Sequence, residues 1–355
     1  MTEKFKKSIP LSEFTTIGLG GPAKYFFIAR TNQELMDAVK YSNSLGIKFF
    51  IIGGGSNVIF SDQGFDGLII KNEITGFDLV DHDGYTELVV DSGEAWDDLV
   101  EKTVCLGLSG IECLSGIPGT AGATPVQNVG AYGQEVSDTI TFVEGIDLES
   151  YEVKKFSNDE CIFSYRDSRF KGKDKGRFFI SKVGYRLSKL NEPCLKYEAL
   201  NNEIRLNHGD FDLMERIMKL RIIRETVLEI RRKKSMVVDK DDPESRSCGS
   251  FFTNPILNVF EFENLKNQFS SELRLAPVFV DGEKVKIPAA WLIEKSGFSR
   301  GYSINGAAIS ANHTLALVNK GTTSKELLEL SQIIMESVYK KFGIMLEPEP
   351  EIILT

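Results

Sequence analysis

The chain has 355 residues, of which 42% are hydrophobic and 26% are charged, as in an ordinary soluble globular protein. This length predicts two or three domains. The formal net charge of −9 argues against nucleic acid as the main partner, and no apolar run is long enough to span a bilayer. The basic N-terminus lacks the apolar segment of a secretory signal, so we expect a cytoplasmic protein without a membrane partner.

Metal and disulfide chemistry have little support in the composition. The five cysteines are an odd number and include no CxxC pair, which does not fit a disulfide framework or a zinc knuckle. The three histidines, at positions 82, 208 and 313, are far apart in the sequence and do not point to a metal site or a Ser-His-Asp triad. We therefore expect no metal.

The first half of the chain predicts two helix and strand units that lead into glycine-rich loops. Thr31 and Glu34 have capping-box spacing, a helical apolar pattern follows, and Gly46 marks its end. The run IKFFII then predicts a buried strand that continues into GGGSN at 53–57. In the second unit, ELVVDSG predicts a strand, and a helical stripe beginning at Trp96 precedes the loop at 115–133.

The first loop is not a dinucleotide fingerprint of the Rossmann kind. Val58 stands where the third glycine or alanine of GxGxxG is needed, and VIFSDQGFDGLII looks extended where that motif requires a helix. The second loop has five glycines, three alanines and no charged residue between Ser115 and Gly133. Such a stretch is either a turn of small residues packed under a sheet, or a loop whose backbone N–H groups face a flat or anionic ligand.

The middle of the chain carries a basic run on a predicted helix. Its members are Arg221, Arg224, Arg231, Arg232, Lys233 and Lys234. We expect a solvated helix face, and the alternative is a junction that presents cations to a phosphate-bearing ligand. The change to an acidic loop after the run predicts a domain boundary near residues 225–240.

The last third predicts a compact α+β domain. Thr323 and Glu326 form a second capping box, and Gly343 ends the long helix that follows. The residues expected to face inward are Leu327, Leu330, Ile334 and Val338. The prolines of LEPEPE exclude a helix and predict a rigid, extended acidic segment at the C-terminal end.

Three short motifs contain candidate chemical groups. FSYRDSRFK carries Arg166, CGSFFTNP carries Ser250, and LEPEPE carries Glu349. Each is weak alone. The chain has neither a GxSxG elbow nor the papain-type cysteine signature, which argues against a serine or cysteine hydrolase.

Taken in order, seven motifs closely resemble the UDP-N-acetylenolpyruvoylglucosamine reductase (MurB) family. They are FTTIGLGGPA, IIGGGSNVIF, SGIPGTAGATPVQNVGAYGQE, SYRDSRFK, GSFFTNP, PAAWLIEKSGFSRG and LEPEPEI, and they cover the chain from about Phe14 to Glu349. The resemblance implies an α+β protein with the FAD-binding fold of the vanillyl-alcohol oxidase (PCMH-type) class. It further implies two FAD-binding subdomains at 1–70 and 71–230 and a C-terminal α+β substrate domain at 231–355.

The resemblance implies that the two loops wrap FAD, with NADPH as the reductant. No histidine precedes residue 82 or lies in either loop, so we expect non-covalent FAD. The implied FAD-binding residues are Gly53, Gly54, Gly55, Ser56, Asn57, Ile117, Pro118, Gly119, Gly122, Ala123, Thr124, Asn128, Gly130, Ala131 and Tyr132.

The implied reaction is reduction of UDP-N-acetylglucosamine enolpyruvate to UDP-N-acetylmuramate during peptidoglycan precursor synthesis, a pathway tied to cell shape and division. Hydride passes from reduced FAD to the vinyl carbon, Ser250 donates the proton, and Arg166 and Glu349 polarise the substrate carboxylate. Tyr197, Lys234 and Asn254 match substrate-side positions, and the loop of Tyr197 marks the type I branch. We expect a monomer.

Two departures from the family pattern and two rival functions remain. EPEPE replaces the common EPEVR, so Glu351 stands where relatives have arginine, and KSMVVDKDDP replaces a shorter KLPDP connector.

The rivals are a flavin oxidase or dehydrogenase of a small alcohol, which would lack the Arg166, Ser250 and Glu349 set, and a non-catalytic protein that binds a UDP-sugar. Flavin absorbance that NADPH bleaches would separate an enzyme from the second rival.

Overall fold

The chain divides into two units, each assembled from separate stretches of sequence. A computed structural model describes residues 5–269 and 278–354. The first unit comprises the stretch up to Ile9, Ala23–Gly55 and Asp66–Val237, and the second comprises Pro10–Pro22, Ser56–Phe65 and the chain from Val238 onward. The division into 1–70, 71–230 and 231–355 stays a prediction.

The helices begin and end largely where the capping patterns predict. In the described residues they are α1 (Asn32–Ser44), α2 (Trp96–Cys105), α3 (Glu198–Asn207), α4 (Arg216–Lys233), α5 (Val259–Gln268), α6 (Ala289–Lys295) and α7 (Ser324–Phe342). The Thr31 hydroxyl accepts from the Glu34 N–H at 3.1 Å, which confirms the cap of α1. At the start of α7, the side chains of Thr323 and Glu326 each accept from the other's backbone N–H, which confirms the predicted capping box. Gly343 ends that helix with a φ of 68°.

Strands supply most of the remaining regular structure. They are β1 (Lys6–Pro10), β2 (Pro22–Ala29), β3 (Phe49–Ile52), β4 (Val58–Phe60), β5 (Phe65–Asn72), β6 (Phe77–His82), β7 (Tyr85–Asp91), β8 (Gly130–Ala131), β9 (Gln134–Glu135), β10 (Ile140–Asp147), β11 (Val153–Ser157), β12 (Phe178–Ser188), β13 (Ile256–Asn258), β14 (Phe279–Asp281), β15 (Lys284–Lys286), β16 (Ser303–Ile304), β17 (Ala307–Ile309), β18 (Leu317–Asn319) and β19 (Glu351–Ile353). The predicted strand before GGGSN is therefore confirmed, and so is the extended conformation after it.

Among the described residues, the first unit contains the two-stranded β8-β9 sheet and two larger sheets. One has the order β1-β2-β5-β3, and β3 runs parallel to β5 with Phe49 opposite Leu68. The other has the order β11-β10-β12-β7-β6, with antiparallel neighbours throughout. Helix α2 buries its predicted stripe, including Trp96, in the core of this second sheet. Both glycine-rich loops begin where strands or helices of this unit end.

The prediction of a solvated basic face on α4 is wrong at two positions. Arg224 and Arg231 are only 8% and 9% exposed, whereas Arg221, Arg232 and Lys233 are exposed. The two buried arginines lie seven residues apart, two helical turns, and therefore share one face. That face packs inside the first unit, so the run is not uniformly solvated.

Where the structure describes it, the second unit has three small sheets around a core that includes α7. The orders are β13-β15-β14, β16-β17-β18 and β19-β4. The predicted inward residues of α7 are confirmed, because Leu327, Leu330, Ile334 and Val338 are all at most 1% exposed. The proline-flanked C-terminal segment is extended as predicted, and β19 pairs in parallel with β4, with Glu351 opposite Val58. Among the described residues, no helix combines the length and apolar composition that crossing a bilayer requires.

Candidate active site

The two glycine-rich loops meet in the first unit. A Cβ on Gly54 would lie 2.7 Å from the Cα of Gly119, and one on Gly53 would lie 2.6 Å from the Thr120 hydroxyl oxygen. Gly55 and Gly119 have φ values of 66° and 123°, which favour glycine. These glycines are therefore needed for the loops to pack against each other, whatever ligand they face. The sequence predicted the loops but not their contact.

Lys71 contacts the first glycine-rich loop. This contact was not predicted from the sequence. Lys71 lies at the end of β5, and its ammonium donates a short hydrogen bond to the carbonyl oxygen of Gly53. Burial lowers the pKa of Lys71. A cation beside a backbone loop favours an anionic ligand, so this part of the first unit suits a pyrophosphate. The only signal in the sequence is a lysine inside the apolar run GLIIKN.

Asp97 anchors the start of the second loop. Its carboxylate accepts from the Gly116 N–H at 2.6 Å and from two nitrogens of Arg224 at 2.6 and 3.0 Å. Burial alone would raise the pKa of Asp97, but the hydrogen bonds from Arg224 and Gly116 outweigh it, and the pKa lies below its ordinary value. One buried arginine of α4 thus positions a loop that lies more than 100 residues earlier in the chain.

Further along the second loop, several of the predicted FAD-binding residues are hydrogen-bonded within the protein. The Gly122 N–H donates to the Ser92 carbonyl at 2.9 Å, and the Thr124 hydroxyl lies 2.8 Å from that of Tyr185. Asn128 is 1% exposed, and its amide donates to Glu135 at 2.8 Å. The Thr124 N–H also donates to the Ala121 carbonyl at 3.2 Å, and its carbonyl accepts from the Val129 N–H at 3.0 Å. Ile117, Pro118, Ala123 and Ala131 lie in the same stretch, with Ile117 and Ala131 packed against the core.

Arg166 is tied to the end of the second loop. Its guanidinium donates to the Gly130 carbonyl oxygen at 2.6 Å and lies 5.2 Å from the ring centroid of Tyr165. Its own φ of 54° is left-handed, and strained backbone of this kind occurs at functional sites when surrounding contacts hold it. The structure therefore places the predicted catalytic arginine directly beside a predicted FAD-binding residue.

Tyr197 and Tyr132 form an edge-to-face pair in the first unit. Their ring centroids are 5.4 Å apart at an interplanar angle of 87°, and Tyr197 immediately precedes α3. Burial raises the pKa of Tyr132, and the positive charge of the Arg231 guanidinium opposes this shift. Burial lowers the pKa of Arg231, and its Nε has no hydrogen-bond partner among the described residues. Lys234 follows directly on α4, where its N–H donates to the Arg231 carbonyl at 3.1 Å.

The second unit brings Ser250 and Glu349 onto neighbouring backbone segments. The Glu349 N–H donates to the Phe251 carbonyl at 2.8 Å, and Phe252 lies opposite Pro348 in an antiparallel bridge. Both Ser250 and Glu349 are half-buried. Two of the three predicted catalytic residues therefore approach each other through backbone pairing across about 100 residues of sequence, and Arg166 belongs to the first unit.

Asn57 and Asn254 have structural partners in the second unit. The Asn57 amide donates to the Glu349 carbonyl at 3.3 Å, and the Asn57 carbonyl accepts from the Glu351 N–H at 3.0 Å. Asn57 therefore supports the segment of the predicted catalytic carboxylate, and its neighbour Ser56 belongs to the same unit. The Asn254 side-chain oxygen accepts from the Ala289 N–H at 2.9 Å at the start of α6.

Two family descriptions match the chain. The description "FAD binding domain" matches residues 23–153, a range that holds both glycine-rich loops. The description "UDP-N-acetylenolpyruvoylglucosamine reductase, C-terminal domain" matches residues 241–353, a range that holds Ser250, Asn254 and Glu349. The first match supports the FAD prediction for the loops as a region.

Relatives extend this similarity over almost the whole chain. A UDP-N-acetylenolpyruvoylglucosamine reductase from Streptomyces coelicolor is 44% identical over 96% of this chain and 88% of its own length. The one from Thermobifida fusca is 41% identical over 99% of both chains. The crystal structure of the Thermus caldophilus reductase (MurB) has a TM-score of 0.65 at 22% identity and covers 98% of both chains, so the fold is shared. The protein is an α+β, FAD-dependent member of the UDP-N-acetylenolpyruvoylglucosamine reductase family.

Proposed function

We propose that the protein reduces UDP-N-acetylglucosamine enolpyruvate to UDP-N-acetylmuramate with NADPH, as a step of peptidoglycan precursor synthesis. The observation that carries the proposal is family membership at 41–44% identity over nearly the full chain. The FAD-binding match on residues 23–153 supplies the redox cofactor that such a reduction needs. The same membership argues against an alcohol oxidase and a non-catalytic UDP-sugar binder.

The first unit would hold FAD between the two loops. When bound, FAD supplies the hydride transfer between NADPH and substrate. Gly53, Gly54 and Gly119 keep the loops close enough to share one ligand, and Lys71 adds a cation that favours a pyrophosphate. The remaining predicted FAD contacts, on residues 55–57 and 117–132, lie in the same two loops.

Ser250 would donate the proton that completes the reduction. Adding hydride to the vinyl carbon leaves negative charge on its neighbour and on the substrate carboxylate, so the site needs an acid and stabilising groups. A serine hydroxyl is a weak acid and suits only a strongly basic carbanion centre. Arg166 and Glu349 would face the carboxylate, with Arg166 oriented through Gly130 and Glu349 through its backbone bond to Phe251.

Tyr197 and Lys234 would bind the diphosphate of the UDP-sugar. Tyr197 lies at the N-terminus of α3 and Lys234 directly after α4, and these two helices pack in one apolar cluster of the first unit. Asn254 would act on the substrate side while it holds α6. The substrate and NADPH are both charged molecules that do not cross a bilayer unaided. We extend the proposal to a monomer acting in the cytoplasm.

Measuring the two half-reactions separately tests the proposal. Anaerobic NADPH should bleach the flavin absorbance, and the enolpyruvyl UDP-sugar should restore it in a stopped-flow experiment. Ser250→Ala should leave bleaching nearly unchanged and slow the restoration by about 10²–10⁴-fold, the usual contribution of a positioned proton donor. Ser250→Cys should recover part of the rate, because a thiol is the stronger acid.

The exposed Ser299 of the same unit provides the matched control. Ser299→Ala should change neither half-reaction. If NADPH bleaches the flavin but the enolpyruvyl UDP-sugar never restores it in wild-type protein, the proposed substrate is wrong. If Ser250→Ala slows both half-reactions equally, Ser250 has a structural role and the proton comes from another group.

A further inference from the structure

Two thiols from distant parts of the sequence meet in the first unit. Cys113 and Cys194 are 81 residues apart, and the Cys113 sulfur lies 3.4 Å from the Cys194 carbonyl oxygen. Both side chains pack in the same apolar cluster. Both cysteines are free. Their juxtaposition is a feature that the reductase mechanism does not use.

Side chains on either side of the pair hold both backbones in place. The Cys113 N–H donates to the Gln134 side-chain oxygen at 2.7 Å, and the Cys194 N–H donates to the Glu112 carboxylate at 2.9 Å. The Cys194 sulfur lies 3.7 Å from the Gly133 carbonyl oxygen. The distance between the two cysteine backbones is therefore determined by several bonds rather than by the thiols alone.

The two thiols differ in access and in acidity. Cys113 is fully buried, whereas Cys194 is half-buried. The hydrogen bond from Cys113 lowers the pKa of Cys194 to about 6, and the same contact raises the pKa of Cys113. Cys194 therefore loses its thiol proton at a lower pH than Cys113 does. At neutral pH this combines a partly exposed nucleophile with a buried thiol beside it.

The other cysteines lack this combination. Cys161 and Cys248 are buried, and burial raises the pKa of each to about 12. Cys105 is exposed at the C-terminal end of α2 and serves as an internal reference for unspecific oxidation. Reactivity with an oxidant should therefore concentrate on the Cys113 and Cys194 pair.

We propose that Cys194 and Cys113 form a reversible thiol oxidation site for hydroperoxides, with Cys194 as the attacking thiol and Cys113 as the resolving thiol. The Cys194 thiolate attacks one peroxide oxygen, the O–O bond breaks, and sulfenic acid and hydroxide form. The Cys113 sulfur then attacks the Cys194 sulfur, forming the S–S bond and breaking the S–O bond, and the Cys113 proton leaves with the hydroxide as water. In sum, two thiols and one hydrogen peroxide give one disulfide and two waters.

The disulfide would join two segments next to the candidate site. Cys194 lies three residues before Tyr197, and Cys113 lies two residues before Ser115, where the second glycine-rich loop begins. Both cysteines pack with Tyr132 in the apolar cluster between α3 and α4. Oxidation would therefore tether the segment of Tyr197 to the segment that precedes the second loop.

Mass spectrometry of the peroxide-treated holoenzyme tests the chemistry without an activity assay. One equivalent of hydrogen peroxide at pH 7 should lower the protein mass by two hydrogen atoms. It should also reduce the number of thiols that can be alkylated from five to three. Digestion should yield a peptide pair joined through residues 113 and 194, and dithiothreitol should restore all five thiols. Preferential oxidation of Cys105, or a Cys194 sulfinic acid formed without the joined peptides, would overturn the proposal.

Variants assign the role of each sulfur. Cys105→Ser should retain the cross-link, and Cys194→Ser should abolish it. Cys113→Ser should leave a Cys194 sulfenic acid that a 1,3-dione traps, and Cys113→Ala tests the same step with an apolar replacement in the apolar cluster. Alkylation of Cys194 by iodoacetamide should be half-maximal near pH 6 in the wild-type protein and should move to higher pH in both Cys113 variants. An unchanged pH profile in both variants would exclude Cys113 as the partner.

Discussion

At the scale of single residues, Lys71 shows how one charge can orient a loop. The carbonyl oxygen of Gly53 and the N–H of Gly54 belong to one planar peptide unit and point in opposite directions. The Lys71 ammonium binds that carbonyl oxygen, so it turns the Gly54 N–H away from itself. Gly54 is also the residue that packs against Gly119. Lys71 therefore orients the peptide between Gly53 and Gly54, at the point where the two loops pack against each other.

Lys71→Met should weaken FAD binding. The variant keeps an apolar stem of similar length but loses the ammonium, and hydrogen bonds to charged groups contribute about 1.5–3 kcal/mol. We expect the Kd for FAD, measured by fluorescence quenching on apoprotein, to rise by about 10–100-fold. Lys24→Met removes an exposed lysine paired with Asp66 and should leave the Kd unchanged. Equal Kd values in both variants and the wild type would contradict a role for Lys71.

At the scale of elements, α4 connects the second loop to the segment of Tyr197. Arg224 binds Asp97 near the start of that loop, and two turns later the charge of the buried Arg231 acts on Tyr132 at its end. Tyr132 in turn packs edge-on against Tyr197. The buried face of α4 thus carries two cations that position separate parts of the first unit. We treat Arg231 and Tyr132 as positioning residues for Tyr197.

Tyr132→Phe should affect substrate binding more than chemistry. The variant keeps the ring against Tyr197 and removes only the hydroxyl that interacts with the charge of Arg231. We expect the KM for the UDP-sugar to rise by about 3–10-fold, in line with one net hydrogen bond, while kcat changes little. Tyr339→Phe, at an exposed position of α7, is the matched control. A fall in kcat at constant KM would point to a direct catalytic role instead.

Asp97→Asn should destabilise the protein in a pH-dependent way. The folded-state pKa of Asp97 is lowered, so its carboxylate stabilises the fold fully above the ordinary value near 3.9 and loses this effect as the pH falls through the folded-state value. Because the side chain is 34% exposed, we expect a loss of about 1–2 kcal/mol at pH 7. The deficit, measured by urea unfolding, should shrink below about pH 4.

Asp98 on the same helix provides the control for Asp97. It is exposed, so Asp98→Asn should change the free energy of unfolding by less than about 0.5 kcal/mol at any pH. A deficit in Asp97→Asn that stays constant from pH 7 to pH 3 would show that the variant acts through packing rather than through the carboxylate charge.

At the scale of the whole molecule, both units are assembled from stretches that alternate along the chain. The first loop spans the change from one unit to the other, because Gly53–Gly55 belong to the first unit and Ser56–Asn57 to the second. Within the second unit, Asn57 binds the backbone of Glu349. A single short motif therefore contributes to a glycine-rich loop in one unit and to the segment of the predicted catalytic carboxylate in the other.

Purified holoenzyme should release all its flavin on acid precipitation. Neither glycine-rich loop contains histidine, and His82 lies on β6 with its ring stacked on Tyr85. Binding would rest on hydrogen bonds and packing, which acid unfolding disrupts. The supernatant should therefore contain flavin equal to the protein concentration, read by its visible absorbance. A pellet that stays yellow after washing would indicate a covalent bond.

Local patterns in the sequence were enough to predict several elements and the two loops. The cap at Thr31, the box at Thr323 and the end of α7 at Gly343 depend on residues within a few positions of each other. The extended course after GGGSN follows from the apolar run itself. Such signals are local because helix caps and strand alternation depend on near neighbours in the chain. The order of the seven motifs was also enough to identify the family.

The tertiary structure decided which groups meet. The residues of the basic run on α4 look alike in the sequence, yet Arg224 and Arg231 are buried while Arg232 and Lys233 are exposed. The reason is that Asp97 and Tyr132, from distant parts of the chain, lie against one face of the helix. The pairing of Cys113 with Cys194 arises in the same way across 81 residues. Burial and hydrogen-bond partners depend on distant segments, and periodicity carries no information about them. The sequence by itself therefore determined the elements, the loops and the family, and packing alone decided the partners that hold the site in place.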